Sequence, residues 1–211
     1  MVSAYTQLLA DNYRGKLDDQ ADKYIHYAVD GAARMQSLLQ DLLAFSRVGR
    51  QETAVASTDC NQVVGQAMEN LRTAILESAA VVTHGPLPRL PANGSQLQQV
   101  FHNLIGNAIK FRSTQAPVIQ ISAEKNGTDW IFSVADNGIG ISAEYAEQVF
   151  IIFKRMHTRT EYPGNGVGLA ICKKIIERHG GKIQAAPHAG GGTIFQFTLP
   201  AGIRSGRQDP A

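Results

Sequence analysis

Near the middle of the chain "VIQISAEKNG" and "DWIFSVADNG" alternate apolar and polar residues about a turn at Asn126 and Gly127. Period-two alternation broken by Asn-Gly predicts a β-hairpin, and a hairpin with one apolar face needs something laid against that face. The rest of the chain offers helices for that purpose. Helical patterns are expected over roughly 59–78, 95–112, 142–152 and 167–179, with a short strand near "AVVTH" and a closing hairpin in "GKIQAAPHAGGGTIFQFTLP". Helices interleaved with antiparallel strands predict an α+β fold, a two-layer α/β sandwich with one helical layer on one mixed sheet. At 211 residues the chain is long enough to bury roughly 70% of its unfolded surface, so a real core is available.

The first 48 residues read differently. A helix over 1–13 stops at the glycine of "YRGK", and a second begins at Asp18 or Asp19 and runs to about Val48. Along it Ile25, Ala28, Ala32, Met35, Leu38, Leu39, Leu42 and Phe45 recur at mixed spacings of three and four, a continuous apolar stripe. Two helices joined by a short turn cannot cover their own stripes, so this hairpin is expected to pair with a second copy as a dimeric four-helix bundle. A polar linker is expected over 49–57, and a frayed tail over 202–211. "GPLPRLPANG" is dense enough in proline and glycine to break any element.

Bulk numbers exclude several classes. A net charge of +2 with no basic run argues against nucleic acid and against a membrane surface, and no segment reaches the ~20 apolar residues of a span. Cys60 and Cys172 stand far apart without metal-ligand spacing, which suits a reducing cytoplasm.

Chemistry is concentrated in four stretches. In the helix expected around "VFHNLIGNAIKF", Gln96, Gln99, Asn103, Asn107 and Lys110 fall on one face opposite Leu97, Val100, Phe101, Leu104 and Ala108. Asparagine is a poor choice for a merely solvated helix face. Amide oxygens can ligate a hard cation, and a lysine one turn on can meet the phosphates which that cation bridges. "DNGIG", Asp136 to Gly140, puts a carboxylate at a strand end, where a partly buried acid needs a donor such as the amine of adenine. "GNGVGLAICKKII" feeds Gly164, Gly166 and Gly168 into a helix N-terminus, a phosphate cradle that fits neither the dinucleotide fingerprint nor the common phosphate-binding loop. Between them "VFIIFKRMHTRTEYPG" carries Phe150 and Phe153 with Lys154, Arg155 and Arg159, the makings of a lid.

In this order, "NLIGNAIKF", "DNGIG", "FIIF", "GNGVGLA" and "GGGTIFQF" resemble the catalytic ATP-binding domain of sensor histidine kinases, within the GHKL ATPase superfamily, from about residue 58 to 201. The leading "MVSAYTQLL" and "YAVDGAARMQSLLQDLLAFSRV" are similar to the dimerisation and phosphotransfer hairpin of those kinases, especially the phytochrome-like group. The resemblance implies Mg2+ and ATP as cofactors, with Asn107 as the metal ligand and Asn103 supporting it. It also implies that Lys110 contacts phosphate and Phe111 lies against adenine. Asp136 would accept the amine hydrogen, and Gly138 and Gly140 would shape its pocket. Gly164, Gly166, Val167, Gly168 and Leu169 would cradle phosphates, Arg155 would belong to the lid, and Thr193 would close the adenine end. Asn165 departs from the family's frequent threonine.

The family's phosphoacceptor histidine is followed by an acid and is expected upstream of Met1. None of the six histidines fits that role; His26 is followed by Tyr27 and sits on the second helix. The implied reaction moves the γ-phosphoryl of ATP to a histidine absent from this chain, then to the aspartate of a response-regulator receiver domain. No catalytic residue is therefore expected here, and this chain by itself is expected not to autophosphorylate. Alternatives are a dimeric nucleotide-binding scaffold or regulator without autokinase activity, and a GHKL ATPase that turns over ATP for conformational work.

Overall fold

A left-handed glycine, Gly15 at φ +74°, separates the first two helices, α1 (Val2–Tyr13) and α2 (Asp19–Arg50). Asp18 is the cap: its carboxylate accepts the Ala21 N–H at 2.7 Å, which satisfies an amide that the first turn leaves unpaired. One turn further on, the Asp22 carboxylate accepts the Gly15 N–H at 2.9 and 3.0 Å, tying the connection to the start of α2. Ile25 and Ala32 are buried, whereas Leu8, Leu9, Met35, Leu39, Leu42 and Leu43 stay exposed.

The computed structural model describes residues 1–50, 55–156, 158, 161–162 and 164–202, and its contacts divide into the units Met1–Arg47 and Val48–Ala211. In the larger unit the order is β1 (Ala56–Asp59), α3 (Cys60–Asn70), α4 (Arg72–Glu77), β2 (Val81–His84), β3 (Arg89–Ala92), α5 (Gly94–Lys110), β4 (Val118–Asn126) and β5 (Asp129–Asp136). Two single-turn 3-10 segments follow, Ala143–Tyr145 and Gln148–Phe150, then α6 (Gly168–Arg178), β6 (Ile183–Pro187) and β7 (Thr193–Pro200). The main sheet has the order β2-β4-β5-β7-β6, with β2 parallel to β4 and the remaining pairs antiparallel. This is the expected mixed sheet under a helical layer. Its core is aromatic: Phe101 of α5 meets Phe132 and Phe197 edge-on at 6.1 and 5.7 Å, and those two stack at 5.0 Å across β5 and β7. Leu97, Val100, Leu104 and Ile105 complete the buried face of α5, and Ile171, Cys172, Ile175 and Ile176 that of α6. Among the described residues no helix is long and apolar enough to cross a membrane.

Five expectations need correction. The linker is shorter than its polar composition suggests, because α2 reaches Arg50 and Ala56 already opens β1; residues 51–54 lie outside the described residues. The proline-rich stretch contains a strand, β3, paired antiparallel with β1 in a two-stranded sheet where Pro91 opposes Ser57. Each strand there is an edge strand, so a missing N–H is tolerated and no apolar alternation is needed. The helix expected over 59–78 breaks at Leu71 into α3 and α4, with neither glycine nor proline to mark the place. The helix expected over 142–152 is replaced by the two 3-10 turns; so short a segment gains more from seating Phe150 edge-on against Phe195 at 6.4 Å than from helical hydrogen bonds. The hairpin loop is Gly127-Thr128, one residue later than expected, with Asn126 and Asp129 forming the last pair. Arg159 and the tail from 203 lie outside the described residues.

Candidate functional site

At the C-terminal end of β5, Asp136 is 7% exposed. Two backbone N–H groups converge on its Oδ1, that of Gly138 at 2.8 Å and that of Thr193 at 3.1 Å. Burial raises its pKa above the usual carboxylate value, and those two N–H bonds, with a smaller contribution from His188, pull the other way. The acid therefore has one oxygen fixed by the backbone in a dry setting.

The surrounding chain leaves no room for side chains. A Cβ on Gly138 would lie 2.4 Å from the Phe111 carbonyl oxygen and 2.9 Å from Asp136 Oδ1. A Cβ on Gly192 would come 2.0 Å from the Asp136 carbonyl oxygen, at a φ of +90°. Gly140 rests against the Gly192 carbonyl, and the Ile139 N–H donates to the Phe111 carbonyl at 2.9 Å, so the turn after β5 is bound to the end of α5. Thr193 is buried as well. Neither Gly192 nor Asn137 was anticipated. Asn137 holds the turn from outside, accepting the Val118 N–H at 2.8 Å and donating to the Ala116 carbonyl at 3.0 Å. The glycine triplet before Thr193 and the Asp-Asn-Gly run were the available signals.

The polar stripe of α5 faces the start of α6. Asn103 Nδ2 donates to the Gly168 carbonyl at 3.1 Å, joining the two helices at the head of the glycine-rich loop. Asn107 and Lys110 follow at one-turn spacing and are half-buried. Gln96, expected on this polar face, is buried, and its Oε1 has no hydrogen-bond partner among the described residues. Lys110 is held below the usual lysine pKa by burial first and by the Arg155 guanidinium second. Its Nζ stands 4.3 Å from the centroid of the Phe111 ring, and a Cβ on Gly164 would come within 3.0 Å of that Nζ.

Phe153, at φ +64°, and Gly166, at φ +73°, stand at either end of the segment expected as a lid, with the Phe153 N–H donating to the Gly166 carbonyl at 3.0 Å. Within it Arg155 Nη2 donates to the Tyr162 carbonyl at 2.6 Å and to the Thr158 carbonyl at 3.2 Å. Val167 is buried just ahead of α6, whose first turn holds Gly168 and Leu169. The structure thus joins Phe111, Gly138, Asp136 and Thr193 through direct contacts, with Gly140 against Gly192. Asn103 meets Gly168, Lys110 lies beside Gly164 and is influenced by Arg155, and Asn107 stands between Asn103 and Lys110 on the same helix.

Among the described residues no three His, Cys, Asp or Glu side chains gather into a metal cluster. The donor that suits a hard cation is the Asn107 amide oxygen, a single neutral ligand; a divalent ion would need further oxygens from an anionic ligand.

Comparisons with known proteins agree on the fold and the family. The family model of Histidine kinase-, DNA gyrase B-, and HSP90-like ATPases matches residues 92–203. Cyanobacterial phytochrome A of Nostoc sp. is 49% identical over 203 residues, spanning 96% of this chain and 26% of that protein. Phytochrome-like protein Cph1 of Synechocystis sp. is 45% identical over 201 residues, spanning 95% of this chain and 27% of that protein. The chain therefore spans about a quarter of the length of the curated relatives it matches. The crystal structure of full-length ShkA in complex with AMPPNP superposes with a TM-score of 0.70 at 27% identity, over 94% of this chain and 42% of that one. The chain belongs to the histidine kinase-, DNA gyrase B- and HSP90-like ATPase family, and within it to the sensor histidine kinases with a GHKL-type ATP-binding domain.

Proposed function

We propose that the chain is the phosphodonor core of a two-component sensor histidine kinase: it binds ATP with Mg2+ and delivers the γ-phosphoryl to a histidine, for relay to a response-regulator aspartate. The observation that carries this reading is Asp136, a buried carboxylate whose Oδ1 is already engaged by two backbone N–H groups. Its Oδ2 is the oxygen offered to the exocyclic amine of adenine. Phe111 lies against the base, and Gly138, Gly140 and Thr193 close the pocket around it.

At the other end Asn107 would hold Mg2+ with Asn103 in support; the ion supplies charge neutralisation on the triphosphate. Lys110 is desolvated and faces Arg155, so two cations brought together favour an anion between them. Gly164, Gly166 and Gly168, with Val167 and Leu169, present the unpaired amides at the start of α6 to the phosphates. Transfer breaks the bond between the γ-phosphorus and the bridging oxygen, leaving ADP, and forms a phosphorus–nitrogen bond on the acceptor imidazole, whose proton passes to a neighbouring acid. None of the six histidines of this chain is followed by Asp or Glu. By itself the chain then binds nucleotide without labelling itself.

Residues 1–48 serve as the dimerisation and phosphotransfer hairpin and 58–201, with the start of β1 ahead of them, as the ATP-binding domain. Pairing with a second copy is supported by the exposed Leu8, Leu9, Met35, Leu39, Leu42 and Leu43. The two cysteines, free and buried, suit the reducing cytoplasm. Calorimetry with ATP and Mg2+ tests the site directly: a saturable heat is expected, and its absence from folded protein refutes the proposal. Incubation with γ-labelled ATP tests the second part, where acid-labile label fixed on the protein would show that one of its own histidines accepts.

A further inference from the structure

His188 stands outside the expected site, yet it grips the turn that completes it. Between β6 and β7 the chain runs His188-Ala189-Gly190-Gly191-Gly192, so His188 brings the one polar side chain of that turn. Its backbone N–H donates to the Gly192 carbonyl at 3.1 Å, and its carbonyl accepts the Gly191 N–H at 3.0 Å. Its ring adds a further bond, with Nδ1 3.2 Å from the Gly191 carbonyl oxygen. A carbonyl oxygen only accepts, so the hydrogen of that bond sits on Nδ1. The ring also lies along the glycines, because a Cβ on Gly190 would stand 3.6 Å from its Cε1.

Three consecutive glycines do not hold a shape by themselves. Glycine loses more backbone freedom on folding than any other residue, and Gly191 and Gly192 are fixed at φ +89° and +90°. The residue that follows is Thr193, whose N–H reaches Asp136 Oδ1 at 3.1 Å. Displacing the turn therefore displaces one of the two donors that orient the Asp136 carboxylate, the other being the Gly138 N–H.

We propose that His188 is a positioning residue for base recognition: its Nδ1–H bond to the Gly191 carbonyl sets the turn that aims the Thr193 N–H at Asp136, and so fixes which carboxylate oxygen is left for the base. This rests on the reading of Asp136 as the acceptor of the adenine amine. With Oδ1 held by two donors the carboxylate cannot swing, and Oδ2 keeps one direction. Without the ring, the backbone bonds of residue 188 still close the turn, but the Thr193 N–H is aimed less firmly. His188 also acts on the acid through space, since a charge on its ring opposes the burial that raises the Asp136 pKa. The two effects are separable. Asparagine carries its amide where histidine carries Nδ1, so it can keep the donor while it drops the charge.

The test is calorimetry with Mg2+ and ATP, and in parallel with inosine triphosphate, on the 211-residue chain and on its His188→Ala, His188→Phe and His188→Asn variants, each shown to be folded by a thermal melt. Alanine and phenylalanine lack the donor, and phenylalanine keeps the bulk of the ring. Both should bind ATP about three- to tenfold more weakly, the worth of one hydrogen bond, while inosine triphosphate, which has no amine to offer, loses nothing. His188→Asn should match wild type with both nucleotides. Unchanged ATP affinity in the alanine variant overturns the assignment, as does a loss that phenylalanine does not share, which makes packing the cause. An equal loss for the two nucleotides overturns it as a general loosening of the pocket, and an asparagine variant as weak as alanine overturns it in favour of the charge. In each of these results wild type still binds ATP and the nucleotide site stands. Wild-type protein that takes up no ATP overturns both.

Discussion

Replacing Asp136 by Asn isolates what the carboxylate does. Its Oδ1 accepts the N–H groups of Gly138 and Thr193 at 2.8 and 3.1 Å, and an asparagine carbonyl oxygen can keep both bonds. The other atom then changes from an acceptor to an NH2 donor, which meets the adenine amine donor to donor. Flipping the amide gives no escape, because the NH2 would then face the two backbone N–H groups. Leaving one such group unsatisfied costs about 1 to 3 kcal/mol, or roughly 5- to 150-fold in ATP affinity. Inosine triphosphate, with a carbonyl in place of the amine, accepts from that NH2, so the preference between the two nucleotides should move toward inosine. Stability should not suffer. Burial raises the pKa of Asp136 in the folded state, so as pH rises from the ordinary carboxylate range the unfolded chain loses its proton first. Stability therefore falls through the window up to the raised value, and the full penalty stands above it; asparagine has no charge to bury. At pH 7 the variant should melt no lower than wild type. Calorimetry with both nucleotides and a thermal melt are the measurements. Unaltered ATP affinity, or an equal loss for ATP and inosine triphosphate, would refute the assignment of Asp136 to the amine.

Three further outcomes are expected. Gly192→Ala places a Cβ 2.0 Å from the Asp136 carbonyl oxygen and should lower stability by about 2 to 3 kcal/mol, read from the urea midpoint. Lys110→Met should weaken ATP binding about tenfold and adenosine, titrated in parallel, much less, since the ammonium is assigned to the phosphates. His179 donates from Nδ1 to the Ile175 carbonyl at 2.8 Å and accepts the Asn93 N–H on Nε2 at 3.1 Å, and burial holds its pKa below the usual histidine value. The neutral ring is the bound form. Its contribution is complete above the ordinary histidine pKa and is lost as pH falls from there through the depressed folded value. Urea midpoints between pH 5 and 8 should drop on the acid side, and His179→Gln should flatten that slope.

The order of elements was legible because hydrophobic periodicity is strong where an element has one buried face. The α5 stripe from Leu97 to Ala108 and the alternation in β4, β5 and β7 are such cases. What was missed has no such face. β1 and β3 are four-residue strands in a two-stranded sheet, and β3 contains a proline that would end a central strand. The break at Leu71 carries neither glycine nor proline to announce it. Within the site, Asp136 and the loop glycines stood out because their chemistry is local. Gly192 and Asn137 did not, for their roles depend on contacts with residues 56 and 19 positions away along the chain, with Asp136 and with Val118. His188 was hidden in a glycine-rich turn whose shape no period reveals.

The bond between the Phe153 N–H and the Gly166 carbonyl means that the ends of the lid segment are already brought together before anything inside it moves. Closing a loop is an entropic cost that grows slowly with length, and here it is borne by the scaffold at a single point. A longer or shorter insert grafted between Phe153 and Gly166 should therefore alter how fast nucleotide enters and leaves, with little effect on the melting temperature of the sandwich that carries it.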